Sequence, residues 1–242
     1  MHDERSTHLD LFSGIGGFAI AAERCGWKTV AFCEREKFCQ GVLRKHWPSV
    51  PIIDDIHDLD GREYRGVSLL TGGFPCQPWS QAGKRLGSDD DRALWSQMFR
   101  VIVEARPRFV LAENVVGIIN LELDDVLSSL EGADYSVRAV VVPACAVDAR
   151  HQRSRVWILG ADNMVPNPDN PRRTQQRRAK PASKKLETPQ RRGEWSIEPD
   201  VCRVVDGIPD RVDRLRGLGN AIVPQVAEKI LMALNDCKTD PS

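Results

Sequence analysis

Apolar and polar positions alternate in two ways along the first 160 residues. Short apolar runs typical of buried strands are separated by stretches in which apolar side chains recur every three to four residues, as in helices. The strands are predicted at residues 7–12, 29–33, 52–56, 67–70, 109–112, 137–142 and 155–159. The helices are predicted at residues 17–25, 36–46, 92–105, 124–130 and 224–234. This alternation predicts an α/β fold with a mostly parallel sheet.

The pattern stops after the last predicted strand. Residues 162–199 are rich in Pro, Asn, Arg, Lys and Gln and contain few large apolar residues, so this stretch cannot bury a core of its own. We therefore divide the chain into a main domain at 1–161, a short irregular segment at 162–205, and a closing segment at 206–242. The last helix should pack back on the main domain.

The formal net charge is zero, but the charge is unevenly distributed. Between residues 171 and 193, nine Lys or Arg residues stand against a single acid, Glu187. Such a basic stretch is typical of a nucleic-acid-binding surface, although a solvated basic linker would have the same composition.

Membrane insertion and secretion are not expected. No apolar run approaches the length of about 20 residues that spans a bilayer, and residues 1–8 are polar and charged. The seven cysteines include no pair separated by two residues. We therefore expect a cytoplasmic protein without disulfides and without a bound metal.

The residues most suggestive of chemistry surround one cysteine. Cys76 lies between Pro75 and Pro78 in the sequence Gly-Gly-Phe-Pro-Cys-Gln-Pro-Trp-Ser, directly after an apolar strand. Prolines restrict φ, so this loop should be rigid and should present the thiol as a nucleophile. A buried cysteine in a tight turn is the competing interpretation.

A glycine-rich turn follows the first strand in Leu-Phe-Ser-Gly-Ile-Gly-Gly-Phe, residues 11–18. Glycines there allow a ligand to approach the backbone closely, and the following helix offers free N–H groups. Glu34 at the end of the second strand suits ribose hydroxyls, and Asp55 near the third suits an adenine amino group. Together these residues predict a site for a cofactor that contains adenosine.

Three further short motifs could each have a purely structural role when considered alone. Glu113 and Asn114 follow a predicted strand, where an acid could simply cap a helix. Arg153 and Arg155 are two apart on a predicted strand and should share a face, as on an exposed edge strand. Asn220 lies in a Gly-Asn turn before the last helix, where it could be a plain capping residue.

The order of these motifs along the chain, however, resembles the order found in the C5-cytosine DNA methyltransferase family. The resemblance covers residues 7–160 and 206–235. It implies a doubly wound, Rossmann-like methyltransferase fold that binds S-adenosylmethionine, with a short irregular target-recognition segment. It also implies that a flipped-out cytosine in double-stranded DNA receives the methyl group at C5.

The resemblance assigns a role to each candidate residue. Cys76 would attack C6 of the base, Glu113 would bond its polar edge, and Arg155 with Arg153 would orient it. The loop at residues 81–92 would close over the base. The residues expected to bind the cofactor are Phe12, Gly14, Gly16, Gly17, Glu34, Asp55, Ile56, Pro75 and Asn220. Those expected to contact DNA are Gln77, Ser80, Arg92, Arg172, Arg173, Arg177, Arg178, Lys184 and Trp195.

This sequence departs from the family pattern in three places. Arg35 follows the ribose-binding acid where a large apolar or aromatic residue is common, and His151 replaces a common glutamine. The recognition segment is also much shorter than usual. We expect a monomer from a bacterium or phage. A restriction-modification role is compatible with the sequence, and a partner chain could supply specificity.

Three rival functions remain at this point. A tRNA-cytosine methyltransferase would share the fold, but the Cys-Phe-Thr tripeptide usual in those enzymes is absent. A non-catalytic nucleic-acid-binding relative would not need Cys76, Glu113 and Arg155 together. A protein that only binds S-adenosylmethionine would not need the thiol flanked by prolines.

Overall fold

The computed structural model describes residues 6–75, 92–147, 153–163 and 221–239, with the backbone alone for residues 92–93 and 235–239. Within these ranges a seven-stranded sheet forms the centre of the molecule. Its strands are β1 Thr7–Leu11, β2 Lys28–Cys33, β3 Ile52–Ile53, β4 Leu69–Gly72, β5 Phe109–Val115, β6 Tyr135–Pro143 and β7 Ser154–Asp162. The helices are α1 Gly17–Arg24, α2 Lys37–His46, α3 Arg92–Ala105, α4 Leu123–Gly132 and α5 Pro224–Thr239.

The strand order is β3-β2-β1-β4-β5-β7-β6. The first five strands in this order pair in parallel, whereas β7 pairs antiparallel with both β5 and β6. The chain runs outward from β1 to β3 and then returns to β4 on the other side of β1, so the order reverses between β1 and β4. The predicted doubly wound, mostly parallel α/β fold is confirmed. In such sheets, ligands bind at the carboxyl edge, beside this reversal.

Helices cover both faces of the sheet. On one face, Met98 and Ile102 of α3 and Leu130 of α4 are fully buried in a cluster with the strands. On the other face, Phe18 of α1 and Leu231 of α5 belong to a second buried cluster. The last helix therefore packs on the main α/β unit, against α1. Among the described residues, no helix has the length and apolar character needed to cross a membrane.

Several predicted strand boundaries differ from the structure, and two of the differences have a clear physical reason. β5 was expected to end at Ala112, but it continues to Val115 because β7 pairs with it along its whole length. The third strand was expected to reach Ile56, but β3 ends at Ile53. Beyond it the Asp55 side chain accepts a hydrogen bond from the His57 N–H, which turns the chain.

Four polar side chains form a buried chain of hydrogen bonds across β2, β1 and β4. The Thr71 hydroxyl donates to Asp10 Oδ1 at 2.7 Å and accepts from His8 Nε2 at 2.7 Å. His8 Nδ1 lies 3.0 Å from the Thr29 hydroxyl and accepts from it in the tautomer that donates from Nε2. Burial lowers the pKa of His8 to about 3 and raises the pKa of Asp10 to about 8. Both groups are therefore held uncharged at neutral pH.

The Asp10 pKa has a consequence for stability. Folded Asp10 keeps its proton up to about pH 8, whereas unfolded aspartate loses it near pH 4, so this group favours folding less as pH rises between those values. Against Asp10→Asn, which lacks this titration, the wild type should lose unfolding free energy steadily from pH 5 to pH 8. Denaturant unfolding at several pH values measures the difference, with exposed Asp58→Asn as control. A difference independent of pH would show that Asp10 is ionised in the folded protein.

Candidate active site

The turn between β1 and α1 has an unusual backbone. Phe12, Gly14 and Gly16 all have positive φ, at 52°, 54° and 87°. Positive φ is strained for phenylalanine, and such strain is concentrated at functional sites. The Ser13 hydroxyl fixes the turn by donating to the Asp10 carbonyl at 2.7 Å. The glycine-rich turn predicted from the sequence is thus a tightly bent loop at the carboxyl edge of the sheet.

Glu34 is tied directly to this turn. Its Oε2 accepts a hydrogen bond from the Gly14 N–H at 2.6 Å, and its Oε1 accepts one from the Glu36 N–H at 2.7 Å. Burial raises the pKa of Glu34, and these backbone donors act in the opposite direction. The structure therefore brings together two residues predicted to bind the cofactor, and it fixes the carboxylate with lone pairs still available.

The glycines of the turn differ in what surrounds them. A Cβ at Gly16 would lie 2.5 Å from the Trp47 ring, and one at Gly17 would lie 2.7 Å from Ile222. Close packing against α2 and against the residues before α5 thus requires these two glycines. A Cβ at Gly14 would meet nothing within 4 Å. Unlike Gly16 and Gly17, Gly14 therefore has open space beside it.

Asp55 and Ile56 follow β3 at the same edge of the sheet. Asp55 Oδ1 accepts from both the backbone N–H of His57 at 2.9 Å and its ring Nδ1 at 2.6 Å. These hydrogen bonds lower the pKa of Asp55 and keep it ionised. Ile56 is buried in the adjacent core. Within the described part of the chain, His57 holds Oδ1 of Asp55 and no donor bonds Oδ2, so Oδ2 is available to another partner.

Glu113 occupies the carboxyl end of β5 and is buried. Arg155 of β7 places its Nε 3.0 Å from Glu113 Oε1, but at an angle that makes an ion pair and not a hydrogen bond. Burial raises the pKa of Glu113, and the charges of Arg155 and Arg153 oppose that rise. Among the described residues, buried Nε of Arg153 also has no hydrogen-bond partner. The predicted acid and both arginines are thus together, with polar atoms left to receive a substrate.

Asn114 connects this acid to the loop that leads to Cys76. Its Nδ2 donates to the Phe74 carbonyl at 2.9 Å, and its Oδ1 accepts from the Val115 N–H at 2.8 Å. A Cβ at Gly73 would be 3.4 Å from Glu113 Oε2, so the loop backbone passes close to that carboxyl. No separate role was predicted for Asn114 from the sequence, because its position beside Glu113 at a strand end was the only signal.

Replacing Asn114 should misplace the Cys76 loop. In Asn114→Ala the Phe74 carbonyl loses its donor, and a displacement of about 1 Å at a reacting group costs about 100-fold in rate. We expect kcat to fall by about that factor with a smaller change in cofactor affinity. Steady-state kinetics of the methyl transfer that the family resemblance implies measure both effects, and exposed Asn120→Ala is the control. Equal kcat values for the two variants would show that Asn114 does not position the loop.

Other predicted site residues lie outside the described residues. Those of the catalytic and closing motifs are Cys76, Gln77, Ser80 and Asn220. Those of the basic segment are Arg172, Arg173, Arg177, Arg178, Lys184 and Trp195. Arg92 begins α3, and its backbone alone is described. Pro75 is the last described residue before Cys76 and is exposed. In the described part of the chain, no group of three or more His, Cys, Asp and Glu side chains could hold a metal ion.

The chain is similar in sequence to Type II methyltransferases. The Type II methyltransferase M.PspPI of Psychrobacter sp. is 39% identical over 160 residues, which are 63% of this chain and 38% of M.PspPI. M.Eco47II of Escherichia coli is 38% identical over 128 residues, 52% of this chain and 31% of the relative. The chain thus spans well under half the length of these relatives.

Solved structures share the fold. A protein described as a DNA modification methyltransferase encoded within an E. coli prophage matches with a TM-score of 0.56 and 25% identity. That match covers 64% of this chain and 46% of the prophage protein. Spodoptera frugiperda DNMT2 matches with a TM-score of 0.58 and 22% identity, over 67% of this chain and 51% of its own.

The most extensive of these matches is to a family model. The model described as C-5 cytosine-specific DNA methylase matches residues 6–203, which is most of the chain. Together with the sheet topology and the convergence of Glu34, Glu113 and Arg155 on one edge, this match shows that the chain belongs to the C-5 cytosine-specific DNA methylase family.

Proposed function

We propose that this chain transfers a methyl group from S-adenosylmethionine to C5 of a cytosine in double-stranded DNA, through a covalent adduct with Cys76. The observation that carries the proposal is the arrangement around Glu113. A buried carboxyl paired with Arg155 adjoins Asn114, which holds the loop leading to Cys76. The turn fixed by Glu34 lies at the same edge of the sheet.

The described residues fit the cofactor. The open space beside Gly14 leaves room for a ligand next to the backbone, and Glu34 keeps lone pairs for ribose hydroxyls. Asp55 Oδ2 would accept from the adenine amino group, beside Ile56. Phe12 and the backbone of Gly16 and Gly17 would line the remainder, with Pro75 and Asn220 at the methionine end. When bound, S-adenosylmethionine supplies a methyl group that is electrophilic because it is attached to a sulfonium centre.

The side chains at the other end of the site act on the base. The Cys76 thiolate would form a bond to C6, and the C5–C6 π electrons would then make C5 nucleophilic. Glu113, protonated more readily because it is buried, would share a proton with N3 and accept from the exocyclic amine. Transfer of the methyl group to C5 would break its bond to the sulfonium sulfur and leave S-adenosylhomocysteine. The C5 proton would then leave to solvent, the C6–S bond would break, and the Cys76 thiolate would be regenerated. The base must leave the helix, since stacking hides C5 and C6.

Arg155 and Arg153 would position the base through their guanidinium groups. Arg155 already lies against Glu113. The buried Nε of Arg153 has no hydrogen-bond partner among the described residues. A buried donor without a partner carries an energetic penalty that a ligand oxygen removes. We therefore assign Arg153 to contact the cytosine carbonyl or a neighbouring phosphate.

DNA binding would fall to the basic segment. We propose that residues 162–205 form a short recognition segment between the catalytic unit at 1–161 and the closing segment at 206–242. Arg172, Arg173, Arg177, Arg178 and Lys184 would contact mainly phosphates, which position a duplex without reading its sequence. Gln77, Ser80, Arg92 and Trp195 would contact the target region. The target should be short if the protein acts as a monomer.

Labelled S-adenosylmethionine tests the proposal directly. The full chain is incubated with the labelled cofactor and with duplex DNA, tRNA or neither. Label should enter duplex DNA alone and should appear at C5 of cytosine. Duplex DNA in which every cytosine is already methylated at C5 is the control and should accept none. Label in tRNA and not in DNA, or label at another position, would contradict the proposal.

A further inference from the structure

Arg100 on α3 makes hydrogen bonds to the segment that follows β3. Its Nη2 donates to the Ile56 carbonyl at 2.8 Å and its Nη1 to the Leu59 carbonyl at 3.0 Å. Within α3, Gln97 and Glu104 accept from the same guanidinium at 2.8 Å and 2.9 Å. The guanidinium therefore bridges two carbonyls of an irregular segment and is itself held by two side chains of its own helix.

The segment lies directly against α3 near Gly61. Glu104 Oε2 accepts from the Gly61 N–H at 2.9 Å as well as from Arg100. A Cβ at Gly61 would lie 2.8 Å from Glu104 Cβ and 2.9 Å from the Val101 carbonyl, so no other residue fits this contact without displacement. Three hydrogen bonds and one close backbone approach thus fix residues 56–61 on the helix.

One of these hydrogen bonds leads directly to Asp55. The Ile56 carbonyl that accepts from Arg100 belongs to the same peptide unit as the His57 N–H, which donates to Asp55 Oδ1. A peptide unit is planar, so fixing its oxygen also fixes the direction of its N–H. Hydrogen bonds in such a series polarise and strengthen one another. One of the two hydrogen bonds that orient the Asp55 carboxylate thus comes from a peptide held by Arg100, and the other comes from the His57 ring.

We propose that Arg100 is a positioning residue for the adenine end of S-adenosylmethionine, acting through the Ile56–His57 peptide on Asp55. The inference rests on the proposed function, because it takes Asp55 and Ile56 as the adenine site. Arg100 itself contacts no ligand in this scheme. It holds the acceptor in one orientation before the cofactor arrives, so that less conformational freedom is lost on binding.

Calorimetric titration of the full chain with S-adenosylmethionine tests the proposal, together with methyl-transfer kinetics. Arg100→Ala should weaken cofactor binding by about 10-fold, the effect expected for loss of a charged hydrogen bond. KM for the cofactor should rise by a similar factor, while kcat at saturating cofactor stays within about 2-fold. Arg100→Lys keeps the charge but not the fork, so it should fall between Ala and wild type. Exposed Arg62→Ala, which removes an ion pair with Asp60 in the same segment, is the control.

Asp55→Ala distinguishes a failure of the proposed adenine site from a failure of the proposed Arg100 role. If Asp55→Ala leaves cofactor affinity unchanged, the proposed adenine site is wrong. If Asp55→Ala weakens binding and both Arg100 variants do not, the site stands and the positioning role is overturned. In the Asp55→Ala background, Arg100→Ala should cause no further loss, because the two act as one unit. Additive losses, or a lower melting temperature with unchanged affinity, would show that Arg100 is only structural.

Discussion

Replacing Cys76 by serine is expected to abolish methyl transfer while leaving S-adenosylmethionine binding close to that of the wild type. A serine hydroxyl is almost entirely protonated at neutral pH and is a far weaker nucleophile than a thiolate, so the bond to C6 would not form. The residues proposed to bind the cofactor, Gly14, Glu34 and Asp55, make their hydrogen bonds with described residues other than Cys76. Transfer of labelled methyl groups to duplex DNA and calorimetric titration of the cofactor measure the two effects separately.

Cys145 supplies a matched control. It is an exposed free cysteine on the short turn after β6, and Cys145→Ser should retain full activity. Wild-type turnover in Cys76→Ser would show that the reaction does not pass through this thiol. Loss of cofactor binding in the same variant would show instead that Cys76 contributes to the cofactor site.

Replacing Glu113 by glutamine is the second change with a large expected effect. The shape is kept, but the amide cannot hold or share the proton that a carboxyl can, so charge that develops on the base is not neutralised. We expect kcat to fall by about 100- to 1,000-fold, as for removal of one group that stabilises a transition state. Cofactor affinity should be unchanged. Single-turnover methyl transfer separates the chemical step from binding and product release.

The pH dependence of the rate provides a further measure. Burial raises the pKa of Glu113 from its ordinary value, so the wild-type rate should fall as pH rises through that pKa and the proton shared with the base is lost. That fall should be absent from Glu113→Gln. Glu131→Gln, an exposed change on α4, should behave as wild type. A Glu113→Gln variant with near wild-type kcat would remove Glu113 from the chemistry.

The sequence predicted most of the sheet because strands buried on both faces are continuous apolar runs, which are easily recognised. The same reasoning missed the last three residues of β5. Glu113 and Asn114 are polar, and only pairing with β7 reveals that they belong to the strand. Residues predicted to form the site were recognised from motifs, and the structure brings Gly14 and Glu34 together as those motifs imply.

What could not be predicted depends on contacts between distant parts of the chain. The His8–Thr71–Asp10 chain of hydrogen bonds joins strands that are far apart in sequence, and a lone buried histidine gives no pattern. Gly16 was expected to serve the cofactor, yet Trp47 gives it a packing reason as well. Arg100 lies on the polar side of a helical repeat and resembles any solvated arginine until its carbonyl partners are known.

Covalent trapping on DNA tests the central claim most directly. Duplex DNA carrying 5-fluorocytosine replaces the C5 hydrogen with fluorine, which cannot leave as a proton, so β-elimination is blocked and the enzyme stays attached. With S-adenosylmethionine present, we predict a stable protein–DNA complex in which mass spectrometry of the digested protein places the nucleotide on the peptide containing Cys76. Methylation of ordinary duplex DNA without any trapped complex, or attachment at another residue, would contradict the account.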